Sequence, residues 1–300
     1  MKPKKIFSAL LLSLALVLPV KAEVITIEPL FEYPVAPEEI VTLSDKSNWL
    51  MQHFWDNMDF KKKEAVNQSA LNDAFKVYSL PMQWAEKAEV DKSVASLLDK
   101  IQKNPTLLLQ FTKAAESSLY SERADIWIDE VYLKFLDAFL KNKKIPEIRK
   151  RRYERQMRQI SNSLNGSIAP SFDFTTPTGT PGKFQPIGVF TIIEFGDPDC
   201  DDCRHAKLRM ETDVRFSSLV ERGLVNVLFI IPDPVDGWQT KMTDYPANWV
   251  TGASDTVSDI LDLRLTPSFY VIGKDGKIMA KNVSVDQAMK IAFKETSSDK

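Results

Sequence analysis

The chain has 300 residues, 44 % of them apolar, with 39 lysines and arginines against 41 acids. That length and apolar content suit two packed domains of ordinary size, and the balance lacks the basic excess that nucleic-acid binding requires. With two cysteines in all, a disulfide framework is excluded.

The first 22 residues, MKPKKIFSALLLSLALVLPVKA, combine early lysines, an apolar run from Ile6 to Leu18 and a Val-Lys-Ala ending. This is the pattern of a secretory signal peptide cut after Ala22. As a membrane anchor the run is too short, since a span takes about 20 residues, and no cysteine follows it to carry a lipid. Cleavage removes four lysines and moves the net charge from −2 to −6.

From Ser44 to Leu164 apolar residues recur at three and four, the period of amphipathic helices, with breaks at Asn104-Pro105 and Ile145-Pro146. Five or six helices and almost no strand are expected across residues 23–165. Trp49, Phe54, Trp55, Trp84, Trp127 and Phe135 fall at helical spacing and are predicted to be core residues rather than a ligand groove. Between Lys141 and Arg158 nine basic residues face two acids. That run reads as a solvated last helix, able to pair with the more acidic second half. His53 has no companion at metal-ligand spacing.

Asn165-Gly166 ends the helical pattern, and residues 166–300 alternate strands with helices. GVFTIIEF and LVNVLFIIP are buried-strand runs, CRHAKLRMETDVRFSSLVER one amphipathic helix, and SFYVIG and IMAKN a hairpin across KDGK. A last helix begins at Val285. Between the second strand and the hairpin, residues 233–262 give a polar, Trp-containing stretch without a clear element. The order predicts an α/β sheet covered on both faces.

The two cysteines sit in GDPDCDDC, where the first buried strand turns into the first helix of this half. A C-x-x-C pair can be a redox dithiol, half of a zinc site, a haem attachment or a structural disulfide. Haem attachment needs histidine directly after the pair, and Arg204 stands there. Cys200, Cys203 and His205 would crowd an incomplete zinc set onto one helical turn, and a bridge closing so small a loop stabilises little. A helix N-terminus, by contrast, favours a thiolate through its unpaired N–H groups and dipole. Cys200 there can attack a foreign disulfide, and Cys203, one turn on, can resolve the mixed disulfide.

The opening IAPSFDF with Gly179 after it, the strand-C-x-x-C-helix, the Leu-Thr-Pro loop at 265–267 and FYVIGKDGKIMA together resemble the thioredoxin fold, and within it the exported TlpA/ResA-like thiol-disulfide oxidoreductases. The resemblance covers residues 167 to 293. It implies an α/β thioredoxin-like C-terminal domain behind an all-α helical domain of uncharacterised type, in the periplasm of a Gram-negative bacterium. Cys200 is then the attacking thiol and Cys203 the resolving one. Pro267 matches the family's cis-proline, leaving the Thr266 backbone free to pair with a substrate strand. Glu194 matches the buried acid beneath the dithiol, where desolvation would raise its pKa and fit it to take the Cys203 proton. Disulfide substrates and a membrane electron donor that re-reduces the dithiol are the implied partners; no cofactor or metal is.

The family usually has tryptophan before the first cysteine, and this chain has Asp199. Asp199, Asp201 and Asp202 suit a helix start, and their charges oppose a second negative charge on Cys200. The helix dipole acts the other way. The acids point to a disulfide-favouring pair, hence a reductant. Two other functions compete: a binding module whose disulfide is inert, and a thiol peroxidase. The peroxidase needs threonine three residues before its reactive cysteine, and Asp197 stands there.

Overall fold

The computed structural model describes residues 28–61 and 65–297; the signal peptide expected through Ala22 lies outside them. No helix among the described residues is long and apolar enough to cross a membrane.

Six helices form the first half: α1 (Leu43–His53), α2 (Gln68–Ser79), α3 (Lys87–Ile101), α4 (Pro105–Leu119), α5 (Asp129–Lys141) and α6 (Glu147–Ser161). Local chemistry sets their starts. The side chains of Thr42, Asn67 and Asn104 accept from backbone N–H groups of the first turns of α1, α2 and α4, and Pro105 occupies a first-turn position whose missing N–H costs nothing. The core is strongly aromatic. Phe54, Trp55, Phe75, Tyr78, Phe111 and Phe135 are buried together, with many of their rings meeting edge-on. Three of the six aromatics expected inside lie outside this core: Trp84 is 48 % exposed and Trp127 37 %, and Trp49 is half-buried against His53. Trp84 follows the short helix that closes α2, and Trp127 sits in the loop before α5, so helical spacing did not govern either.

The second half builds one seven-stranded sheet from β1 (Phe172–Thr175), β2 (Pro181–Phe184), β3 (Phe190–Phe195), β4 (Val225–Ile231), β5 (Val250–Ala253), β6 (Ser268–Ile272) and β7 (Ile278–Lys281), in the order β2-β1-β5-β4-β3-β6-β7. The two long apolar strands run parallel at its centre, as expected of strands buried on both faces. Period-two alternation sorts their side chains. Phe190, Ile192, Val225 and Val227 pack with α7 (Asp201–Thr212), α8 (Val214–Glu221) and α11 (Val285–Ser297). Ile193, Phe195, Leu228 and Ile230 pack on the other side with Phe172, Phe174 and residues around α10 (Val257–Ile260).

Two features differ from the sequence expectation. The amphipathic helix after the cysteines is two helices, because Asp213 leaves the helical conformation and caps α8 by accepting from the Phe216 amide. The Trp-containing stretch holds a short helix, α9 (Trp238–Lys241), and strand β5 inside the sheet, parallel to β4. Only four residues long, with one of them a glycine, β5 gives no period to read.

The two halves meet across a polar seam. On α6, Arg155 pairs with Asp259 at 2.9 Å, and Asn162 donates to the Ile260 carbonyl at 3.1 Å. Part of the basic run thus docks on α10, whose C-terminal carbonyls attract cations. Deeper in, Asp129 at the start of α5 joins Asp262, Arg264 and Lys281 in a closed cluster. Arg264 Nη2 meets Asp129 at 2.6 Å and also contacts Asp262, while Lys281 Nζ meets Asp129 at 2.8 Å and Asp262 at 2.6 Å. Burial pushes the Asp262 carboxyl up, but the hydrogen bonds and charges of Arg264 and Lys281 outweigh it and hold the group below the usual carboxylate range.

Two anions balance two cations, so removing one member leaves a buried charge uncompensated. Lys281→Met is expected to destabilise the protein by about 3 to 5 kcal/mol, measured as a lowered urea midpoint. A change within about 0.5 kcal/mol, the size of an ordinary surface substitution, would mean that the cluster is hydrated in solution.

Candidate active site at the end of the central strand

Strand β3 delivers the site. Its last residue, Phe195, is followed by Gly196, whose N–H continues the ladder to the Ile230 carbonyl at 3.1 Å. The chain then turns through Asp197 and Pro198 into α7. Asp197 shapes the turn, its side chain accepting from the Asp199 amide at 2.8 Å and its carbonyl from the Cys200 amide at 3.0 Å. Cys200 is the N-cap of α7, and its Sγ accepts from the Cys203 backbone N–H at 3.3 Å. The thiol therefore takes the place that a serine or aspartate oxygen usually fills at a helix start.

The two sulfurs differ in environment. Cys200 is partly exposed and Cys203 is fully buried, and they are not bonded to each other. Burial first, then a hydrogen bond with Cys200, pushes the Cys203 thiol well up, against a backbone hydrogen bond from Asp197 that works the other way. Gly196 makes the room: a Cβ there would lie 2.9 Å from Cys203 Sγ and 3.2 Å from the Phe229 ring.

Glu194 shares the face of β3 that carries Phe190 and Ile192, so it points to the α7 side of the sheet. Its register partners are Phe229 on β4 and Phe269 on β6. The residue is fully buried, and among the described residues neither carboxyl oxygen has a hydrogen-bond partner. Burial pushes its pKa up to about 8. Such a carboxyl keeps its proton at neutral pH but can exchange it just above, the range a general acid or base requires.

On the other side of the cysteines lies the 265–267 loop, with a cis bond between Thr266 and Pro267. Thr266 is exposed. The loop borders a groove of about 570 Å³ that Asp202, His205, Phe269 and Val283 also line. The site residues read from the sequence therefore converge, with Glu194 beneath the dithiol and Thr266 and Pro267 beside its helix.

The three acids of the turn do not stand alone. Lys241 of α9 contacts Asp199, and Arg204 contacts Asp201. Asp202 is the one of the three without a charged partner among the described residues. Both pairs are exposed, so solvent screens them, yet each places a cation beside an acid expected to oppose charge at Cys200.

Sequence reasoning missed Lys241 and Tyr245, both from the stretch that gave no clear element. The Tyr245 ring lies 4.5 Å from that of Phe229 and under Lys207, and its phenol is raised by burial and then by the neighbouring charge of Glu194. Neither residue carries a local signal. Gly196 could have been found, as the small residue that ends a buried strand directly before a turn carrying cysteines.

Residues 16–163 match a domain of unknown function (DUF5106). No curated protein matches the chain. Among solved structures, a thioredoxin-like protein from Bacteroides caccae aligns with 89 % of this chain and 99 % of its own at 20 % identity, with a TM-score of 0.73. The thioredoxin domain of a thiol-disulfide oxidoreductase from Bacteroides vulgatus aligns with 44 % of this chain and 96 % of its own at 19 % identity and a TM-score of 0.38. The chain thus shares its two-part architecture with a thioredoxin-like protein: an N-terminal helical region matching a domain of unknown function, followed by an α/β half with the thioredoxin-like fold.

Proposed function

We propose that the chain is an exported, periplasmic thiol-disulfide oxidoreductase that reduces disulfides through Cys200 and Cys203. The observation that carries this reading is the stacking of three groups: a partly exposed cysteine capping a helix, a fully buried partner one turn on, and an unpaired buried carboxyl beneath. An inert scaffold has no need of a carboxyl left without a hydrogen bond, which costs stability.

In this reaction the Cys200 thiolate attacks one sulfur of a substrate disulfide. A bond forms between Cys200 Sγ and that sulfur, the substrate S–S bond breaks, and the leaving sulfur takes up a proton. The ionised fraction of Glu194, small at neutral pH and larger above it, then accepts the Cys203 proton, and Cys203 Sγ attacks Cys200 Sγ, breaking the bond to the substrate sulfur, which leaves with that proton. The substrate leaves fully reduced, and the protein holds a Cys200–Cys203 disulfide. Two electrons have passed to the substrate, so a dithiol donor at the membrane must return them.

The reductant direction rests on two features. Cys203 is buried with its thiol raised, so the reduced form gains no stabilised thiolate there, and Asp202 lacks a cation among the described residues. The pairing of Asp199 with Lys241 and of Asp201 with Arg204 weakens the contribution of those two acids.

Cys200→Ser is expected to abolish disulfide reduction, and Cys203→Ser to accumulate mixed disulfides with substrate. Equilibration in thiol-disulfide buffers should give a reduction potential of about −270 mV or lower. A pair that never exchanges would establish the inert scaffold instead.

The Glu194 carboxyl gives a separate pH prediction. Between about pH 4.5 and about 8 the folded protein keeps a proton that the unfolded chain has released. Stability therefore falls as pH rises across that window and levels off above it. Glu194→Gln should flatten this slope, stabilise the protein at pH 7 by on the order of 3 kcal/mol, and slow resolution of the mixed disulfide. An unchanged slope would mean that Glu194 ionises freely in the folded state.

A further inference from the structure

We infer that Arg264 is a positioning residue for the 265–267 loop and that the helical half, through Asp129, Tyr120 and Trp127, holds it in place. This deepens the redox reading and rests on it: the loop is where a substrate strand would pair with the Thr266 backbone.

Arg264 immediately precedes Leu265, Thr266 and Pro267. Its side chain is only 4 % exposed. The guanidinium takes three kinds of contact at once. Nε donates to both Asp262 oxygens at 3.1 Å, Nη2 donates to Asp129 at 2.6 Å, and the group lies 4.3 Å from the Tyr120 ring centre and 5.3 Å from that of Trp127. Asp129, Tyr120 and Trp127 all belong to the end of α4, the start of α5 and the loop between them. A planar, always-charged fork held by two carboxylates and two rings has little freedom to turn.

The helical half reaches the loop base a second time. Ser163, fully buried just after α6, accepts from the Asp262 amide at 3.0 Å and from the Tyr270 hydroxyl at 3.0 Å, and that hydroxyl lies 2.9 Å from the Asp262 carbonyl. Residues 262 and 264 are thus both fixed from outside the α/β half. On the far side of the loop, Ser268 begins β6 opposite Phe195, and its hydroxyl bridges the Leu265 N–H and carbonyl. The exposed turn at Thr266 is held between these anchors, beside the strand end that leads to Cys200.

Folding stability alone does not call for this placement, since a seam could close anywhere along the two halves. Here its most buried charges end one residue before the loop. Substrate pairing at Thr266 therefore depends on the helical half, while among the described residues neither cysteine is hydrogen-bonded to that half.

The test uses the mature full-length protein with two probes: insulin, whose disulfides must dock against the loop, and 5,5′-dithiobis(2-nitrobenzoate), which needs only the thiols. Asp129→Asn removes the charge that holds Arg264 from the helical side. KM for insulin should rise roughly three- to tenfold, the worth of one hydrogen bond, with the rate toward the small disulfide unchanged. Amide exchange at Leu265 should quicken in the same variant. If Asp129→Asn fails to fold, Trp127→Leu, at the exposed side of the guanidinium, is measured in its place. An insulin KM within twofold of the unsubstituted protein, equal losses on both probes, or unchanged Leu265 exchange would each overturn the inference. An unsubstituted protein that reduces neither probe would sink the redox reading, and Leu265 exchange would still decide whether the helical half holds the loop.

Discussion

Charge shielded from water must be balanced within a few ångströms, and that constraint organises the contact between the two halves of this chain. Asp129, Asp262, Arg264 and Lys281 form a neutral group in which every member is at least mostly buried. Its members come from α5, from the segment before β6 and from β7. None of these elements can shift without exposing an unpaired charge. A buried ion cluster adds little net stability over a well-packed apolar one, but a wrong arrangement is strongly disfavoured, so it specifies geometry. Apolar contact alone would allow the halves to slide; the cluster sets one register.

The same precision is needed at the dithiol, where it is reached by shape. Cys203 can be buried one turn into α7 only because Gly196 leaves room for its sulfur, and Cys200 can cap the helix only because Asp197 turns the chain at the correct point. Lys241 then ties the segment between β4 and β5 to the cysteine turn through Asp199. An excursion that looks like an insertion in the sequence thus borders the site, supplying a cation and the Tyr245 ring that covers Phe229.

The sequence made most of this legible where a period or a cap was present. The aromatic helical core, the two central strands and the cysteine-capped helix follow from spacing and from the chemistry of helix ends, whereas the burial of Glu194 follows only from the resemblance to the thioredoxin fold. Strand β5 was hidden because four residues cannot establish an alternation, and its place in the sheet comes from pairing with β4 and β1. The break at Asp213 was hidden because apolar spacing continues across it, and only the aspartate's capping bond to Phe216 reveals the new start. Trp127 was misjudged for a different reason. Its loop serves a cation from the other half, 137 residues away, and no local pattern records that demand.

Glu194 and Asp262 are carboxylates in equally dry surroundings, and they meet opposite fates. Asp262 has two cations within hydrogen-bond reach, so it stays charged and its acidity increases. Glu194 has two phenylalanines as register neighbours and no hydrogen-bond partner among the described residues, so it keeps its proton until about pH 8. Desolvation is the largest influence on both, and the difference lies in whether compensation was supplied. A group that only had to hold the fold together would be compensated, as Asp262 is. Leaving Glu194 uncompensated in the central strand, where its charge acts on the buried Cys203 thiol, is what the proposed role as that thiol's proton acceptor requires.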